Sequence, residues 1–419
     1  MKSSRLIIEG GRRLSGEIKV TGAKNASLPI LAASLLTGGE TVLFNCPSLS
    51  DVFTACRILT HLGCRCKREN GALIIDSRDV LGYEISEELM RKMRSSIVFL
   101  GAVLSRLGRC RLSFPGGCEL GARPIDIHLA SMRKMGVRIE ESHGVLDCTL
   151  ESGLNSCDVV LPFPSVGATE NIMLLAARSS ATVTIINAAR EPEICDLEAY
   201  LNACGADIHG AGSSTVTVKG VETLHPCEYS VMPDRIVAST YMSAAAITSG
   251  EVMLSAVRPN DMHAVTALFE QMGCAVYSYD DKIYLNAKNP LKAIKTLKTA
   301  PYPGFPTDCQ PIVMASLCRA KGTSIIYENI FENRYRAVPE LIRMGADIKV
   351  EGKVAVIEGV NSLWGTSVKA PDLRAGAALV LAGLAADGTT TVSDIHYIDR
   401  GYESVENELS QLGAKIIRR

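Results

Sequence analysis

No Cys-x-x-Cys pair occurs in the 419 residues, and no two histidines stand four apart. The usual ligand spacings of a zinc site are therefore missing, and no metal is expected. Charge of one sign is missing too. The formal net charge is −1, which excludes the strongly basic face that nucleic acid or an anionic membrane requires. The longest apolar stretches, Ser96–Leu104 and Ala375–Ala386, fall short of the roughly 18 residues that cross a bilayer. The opening segment MKSSRLIIEGGRR lacks the apolar core of a signal peptide. A cytoplasmic protein is expected, with its 14 cysteines reduced. There is no Walker loop, no Rossmann fingerprint and no Ser–His–Asp elbow, and no cofactor is expected. Aromatic residues are few, and the single Trp364 and the seven scattered histidines suggest no site.

What the chain does have is a period. A helix ends in an apolar residue plus Gly, and a short strand follows. The pattern reads HLGCRCK at His61–Lys67, KMGVRIE at Lys134–Glu140 and ACGADIH at Ala203–His209. It returns as QMGCAVY at Gln271–Tyr277, RMGADIK at Arg343–Lys349 and QLGAKII at Gln411–Ile417. The glycines are spaced 68 to 73 residues apart, which makes six copies of one unit. Each Gly is the expected left-handed cap of a helix.

Upstream of each cap lies a second recurrence: a polar start, a long apolar helix, a turn and a strand. Examples are GAKNASLPILAASLLTGGETVLFN, SVGATENIMLLAARSSATVTIIN and PDRIVASTYMSAAAITSGEVMLS, with TDCQPIVMASLCRAKGTSIIYEN and DLRAGAALVLAGLAADGTTTVSD in the later copies. The copy at Met93–Ser113 starts less cleanly. These helices are apolar almost all round and should be buried. Each copy thus reads as a buried helix, a strand, an amphipathic helix and two closing strands. Three copies per domain would put three buried helices inside a ring of sheets. The repeat phase sets the domains at 22–231 and at 1–21 plus 232–419, so that the N-terminal strand returns to the C-terminal half.

The helix starts are the first place to look for chemistry. Lys24 and Asn25, Ser165, Asp308 and Arg374 all stand at the head of a buried helix. Exposed amides and the helix dipole make such a head an anion site. Ser165, Asp308 and Asp372 are also good N-caps. Capping does not explain Lys24 and Arg374, because a cation is unfavourable in the first turn, so a bound anion is expected there. The loop Phe114–Arg123, FPGGCELGAR, is the second feature. Its Cys118 lies in a glycine-rich segment near Arg123, a setting that favours a reactive thiol. The third is the pair of segments FENRYRAVPE (Phe331–Glu340) and HYIDRGYE (His396–Glu403) at equivalent places in their repeats. Arg334 and Arg400 there could clamp a carboxylate or phosphate.

Taken together, GAKNASLPIL, RSSIVFLGAVLSRLG, PGGCELGARPIDIHL, SVGAT, NAAREPEI, FPTDCQP, FENRY, DLRAGAALVLAG and HYIDRGYE closely resemble the UDP-N-acetylglucosamine 1-carboxyvinyltransferase family of enolpyruvyl transferases. The resemblance runs from the first strand to the last helix. It implies an α/β fold of two inside-out barrel-like domains, each of three repeats with buried parallel helices, and an active site in the cleft between them. It implies transfer of the enolpyruvyl group of phosphoenolpyruvate to the 3′-hydroxyl of UDP-N-acetylglucosamine in the cytoplasm of a bacterium. This is the first committed step toward peptidoglycan, tied to cell shape and division.

By the same resemblance, Lys24, Asn25, Arg123, Arg374 and Arg400 look like phosphoenolpyruvate contacts. Arg94, Arg123, Pro124, Ile125, Asp126, Ile127, Ser165, Val166, Gly167, Asp308 and Ile330 resemble the nucleotide-sugar site. Cys118 matches a proton donor that also forms a covalent adduct, and it is the thiol that fosfomycin would alkylate. Asp308 matches the base or orienter, Lys24 and Arg400 are also catalytic candidates, and Glu332 and Arg334 are supporting residues. A monomer or weak homo-oligomer is implied. One departure stands out: where some members have Lys two residues before the Ser of the Ser-Val pair, this chain has Phe163, followed by Pro164. The sister enzyme acting on shikimate 3-phosphate lacks a loop of the PGGCELGARP type. A six-repeat ring clamp, the non-enzymatic rival, needs a basic inner face that the balanced charge does not provide.

Overall fold

The computed structural model describes residues 4–115 and 125–419. The described chain divides into two compact units. Residues 22–115 and 125–232 form unit A, and residues 4–21 and 233–419 form unit B.

Six helices carry side chains that water would disfavour on nearly every face. They are α1 (Lys24–Ala33), α2 (Phe99–Leu107), α3 (Val166–Ala177), α4 (Arg235–Ile247), α5 (Gln310–Leu317) and α6 (Leu373–Ala385). In α1 every residue but Asn25 is buried, and α5 is buried from end to end. The less clean start of the second copy has a structural form: a 3-10 segment, Arg94–Val98, runs into α2. Helices α1, α2 and α3 pack on one another at the centre of unit A, and α4, α5 and α6 do so in unit B.

Sheets enclose each trio. In unit A, Thr182–Ile186 pairs antiparallel with Thr215–Lys219, which pairs with Asp207–His209. Its alternate residues Val183 and Ile185 face inward, as a half-buried strand requires. A fourth strand, Cys157–Val160, joins parallel on the other side. The same four-stranded order recurs in every copy. The sequence reading gave three strands per copy. It missed the fourth because these lead-in strands are short, as at Glu84–Ile85 and Leu297–Lys298, and carry little periodicity. Three sheets are completed by distant chain; in one of them Glu17–Lys19 joins Glu251–Ser255 in unit B. Glu228–Ser230 pairs with Glu40–Phe44 in unit A. In unit B, Leu6–Glu9 inserts between Thr389–Ser393 and Lys415–Arg418.

The second helix of each copy is one-sided. Ser50–His61 buries Asp51, Val52, Ala55, Ile58 and Leu59, spaced for one face. The six cap glycines take positive φ between 92° and 110°, where a side chain would be strained. No helix of the described residues is long and apolar enough to cross a membrane.

Helices α2 and α3 approach closely at Gly101, where an added Cβ would lie 2.4 Å from the Asn171 carbonyl oxygen. Gly101→Ala should therefore push the two helices apart and cost about 1–3 kcal/mol, read as a lower urea midpoint with an unchanged slope. An unchanged midpoint would show that the contact gives way freely.

Candidate functional site

In unit A, Lys24 is the first residue of α1, whose cap residue Ala23 offers no side-chain acceptor. Its ammonium lies 2.8 Å from the Asp51 carboxylate, and both side chains are buried. Asp51 stands in the first turn of Ser50–His61, where the helix dipole favours a negative charge. The cation at the head of α1 thus has a resident carboxylate beside it, a partner that the sequence argument did not foresee. Asn25 follows, half-buried.

The head of α3 lies in the same unit. Ser165 caps it by accepting from the Ala168 amide at 3.4 Å, with Val166 and Gly167 in the first turn. Phe163, at the departure from the family pattern, is 43% exposed. Over Gly167 lies the imidazole of His128, and an added Cβ there would meet its Cε1 at 3.0 Å. His128 belongs to the helix Asp126–Lys134, which begins just after Ile125. Its side chain is bound by Asn171, one turn into α3, at 2.9 Å. Burial, and then the charge of Arg94, pushes the His128 pKa down to about 4, against an opposing pull from Asp126. Arg94 itself donates to the Pro115 carbonyl at 3.0 Å. Ile127 is partly buried against the core. Further along α3, burial and then Glu193 and Glu191 raise Glu170 well above the usual carboxylate range. Cys118, Arg123 and Pro124 lie outside the described residues.

In unit B the centre is Asp308. It sits inside a 3-10 turn, Thr307–Cys309, ahead of α5. Its Oδ1 accepts from Arg334 at 2.6 Å and its Oδ2 from Arg374 at 3.1 Å. The two guanidinium side chains are 2% and 3% exposed, the carboxylate 28%. The N-cap positions here fall on Pro306 and Cys309 and not on Asp308, contrary to the sequence reading, whereas Ser165 and Asp372 do cap. Arg334 also donates through Nε to the Thr307 carbonyl at 3.0 Å. It therefore holds the site's carboxylate instead of standing open as a ligand clamp.

Arg374 is the second residue of α6, behind the cap Asp372, whose Oδ1 takes the Arg374 and Ala375 amides. Burial opposes its charge, but Asp308, Tyr402 and Asp234 hold its pKa above the ordinary value. As with Lys24, the cation at this helix head has a resident carboxylate. Its Nε and Nη1 are buried without a hydrogen-bond partner among the described residues.

Ile330 is placed by Glu328, a buried carboxylate that accepts the Ile330 and Phe331 amides at 2.9 and 3.0 Å and the Thr307 hydroxyl at 3.1 Å. Glu332 is exposed. Arg400 ends the 3-10 segment Ile395–Arg400 and is partly buried. Sequence reasoning missed Asp51, Glu328, His128 and Asn171. Only Asp51 left a trace, as an acid at a helix start. Among the described residues no cluster of three or more His, Cys, Asp or Glu could hold a metal ion.

Removing Asp51 leaves a buried ammonium without its carboxylate. Asp51→Ala should lower stability by about 3–5 kcal/mol, measured by urea denaturation. A loss below about 1 kcal/mol would mean that Lys24 finds water or another acceptor.

Comparison with known proteins gives this geometry its context. The family model described as EPSP synthase (3-phosphoshikimate 1-carboxyvinyltransferase) matches residues 8–409. UDP-N-acetylglucosamine 1-carboxyvinyltransferase 2 of Caldanaerobacter subterraneus subsp. tengcongensis is 49% identical over 411 residues, covering 98% of each chain. UDP-N-acetylglucosamine 1-carboxyvinyltransferase 1 of Symbiobacterium thermophilum is 48% identical over 421 residues, covering 99% of this chain and 95% of its own. Among solved structures, the enolpyruvyl transferase NikO from Streptomyces tendae superposes with a TM-score of 0.89 at 26% identity, covering 99% of both chains. EPSP synthase from Acinetobacter baumannii, at 19% identity and a TM-score of 0.77, shares the fold. With its six α/β repeats and near-complete coverage at this identity, the chain belongs to the UDP-N-acetylglucosamine 1-carboxyvinyltransferase family of enolpyruvyl transferases.

Proposed function

We propose that this protein transfers the enolpyruvyl group of phosphoenolpyruvate to the 3′-hydroxyl of UDP-N-acetylglucosamine and releases phosphate. On this reading it supplies the first committed precursor of peptidoglycan in a bacterial cytoplasm. The observation that carries the reading is the 49% identity over nearly the whole chain to a protein named for that activity. The chemistry at Asp308 and Arg374 supports it.

Phosphoenolpyruvate is a small, highly charged anion, and several cations must converge on it. Lys24, Asn25, Arg123, Arg374 and Arg400 are proposed to do so, and the two unpaired donors of Arg374 suit an anionic oxygen. Arg94, Arg123 to Ile127, Ser165 to Gly167 and Ile330 are proposed to hold the nucleotide sugar. In the reaction, a proton is added to C3 of phosphoenolpyruvate, and C2 gains oxocarbenium character. The 3′-oxygen bonds to C2 and loses its proton. Phosphate then leaves C2 as C3 gives up a proton, which restores the double bond. Cys118 is the proposed proton donor to C3. Its sulfur can also add to C2, and the same thiol is the proposed point of attack by fosfomycin. Asp308 is the proposed acceptor or orienter of the 3′-hydroxyl proton, with Arg334 holding the carboxylate in place. Glu332 is kept as a supporting residue.

Phosphate release from phosphoenolpyruvate should require UDP-N-acetylglucosamine. Equal turnover with shikimate 3-phosphate would overturn the reading. Asp308→Asn should lower kcat by about 10²-fold or more while changing calorimetric affinity for the nucleotide sugar far less. A loss of affinity large enough to account for the whole loss of activity would reduce Asp308 to a binding residue.

A further inference from the structure

We propose that Cys204 and Cys227 form a site of oxidative modification, a thiol pair that a peroxide converts to a disulfide and a dithiol reductant restores. The inference goes beyond the proposed transfer reaction and does not depend on it.

The two sulfurs lie 3.3 Å apart although 23 positions separate them in the chain. A disulfide bond is about 2.0 Å long, so the gap left to close is small. Backbone holds the two residues side by side. Cys204 caps the C-terminal end of the helix Pro192–Ala203, and its carbonyl accepts the His225 amide at 2.9 Å. The Cys227 carbonyl accepts the Val42 amide at 3.1 Å, in the strand that Glu228–Ser230 joins. The pair is also unequal. Cys204 is fully buried, whereas Cys227 is partly exposed and lies in irregular backbone just before Glu228. The buried thiol keeps its hydrogen and donates it to the Cys227 sulfur. That bond pulls the Cys227 pKa down and pushes that of Cys204 up. Cys227 is therefore the sulfur that meets the oxidant.

One molecule of peroxide balances the step. The Cys227 thiolate attacks a peroxide oxygen, the O–O bond breaks, and the departing hydroxide takes up the thiol proton as water. Cys227 is then a sulfenic acid. The Cys204 sulfur displaces the sulfenic hydroxyl, which leaves with the Cys204 proton as a second water. The two sulfurs lose two electrons and the peroxide gains them. Other neighbouring thiols fit less well. Cys110 and Cys148 face each other across antiparallel strands, but both are wholly buried. Cys56 and Cys66 are the nearest rivals, both partly exposed, with the Cys66 sulfur 3.9 Å from the Cys56 carbonyl.

The bridge would act on the segment that closes unit A. Tyr229 and the Met232 amide already bond to Asp196 on the same helix, at 2.9 and 3.1 Å. The Met232 carbonyl holds the Ala23 amide, just ahead of Lys24, at 2.7 Å. A disulfide would make this attachment covalent and restrict the unfolded chain.

The test uses the full-length reduced protein, treated with hydrogen peroxide, alkylated and digested without reductant. The peptide carrying Cys204 should be joined to the one carrying Cys227, about 2 Da lighter than the two thiol peptides together, and dithiothreitol should release both. The bridged protein should unfold at a higher urea midpoint than the reduced protein. In Cys227→Ser the same treatment should leave Cys204 open to alkylation and give no such rise. Recovery of both thiols intact from the wild-type protein would overturn the inference. So would a bridge between Cys56 and Cys66 in place of this one. Oxidation of Cys227 to a sulfinic acid with Cys204 left free would also refute it, because the second sulfur would then have failed to reach the first.

Discussion

A helix with apolar side chains on every face cannot leave any side to water, and this constraint shapes both units. When three such helices pack together, each still has an outward face that would cost about 25 cal/mol for every Å² left wet. A sheet with one buried face is the cheapest cover, and three sheets close the circle in unit A as in unit B. The requirement also explains the long-range closures. The short strand Glu228–Ser230 comes back to the first sheet, and Leu6–Glu9 fills a gap in the last one. Without them, one wall of each enclosure would be a strand short.

With the sides sealed, polar chemistry can reach the helices only at their ends. This is why the candidate residues cluster at helix heads, and why the cations found there need partners. A buried ammonium or guanidinium is costly unless a carboxylate and further hydrogen bonds accompany it. Asp51 meets that need for Lys24, and Asp308 meets it for Arg374 and Arg334. The head of α3 differs. It gathers a neutral imidazole and a hydroxyl, with Arg94 felt through its charge.

The repeat architecture was legible because it is periodic. Six Gly caps and apolar helices are local signals, and the structure keeps them with positive φ at the caps and burial along most of each helix. The caps Ser165 and Asp372 were legible for the same reason. The partners were not. Lys24 and Asp51 are 27 positions apart, and Asp308 and Arg374 are 66 apart, so nothing in local pattern joins them. His128 looked like one of seven scattered histidines. It gained meaning only when α3 brought Asn171 against it, across 43 residues. The lead-in strands failed for a different reason: two to four residues cannot display an alternation.

The heads of α4, α5 and α6 show how one repeat position acquires a different task. Asp234 accepts the Ile236 and Val237 amides, and Asp372 accepts those of Arg374 and Ala375. Asp308 belongs to the matching segment but lies within a 3-10 turn that begins after Pro306, so it is no longer the residue ahead of the first helical turn. Released from capping, its carboxylate accepts one guanidinium on each oxygen. Being 28% exposed where its arginines are buried, the group can still be reached. A partly exposed carboxylate held by two buried cations suits the role proposed above for Asp308, orienting a hydroxyl and accepting its proton. The two capping aspartates, each tied to its own helix, are not placed to do this.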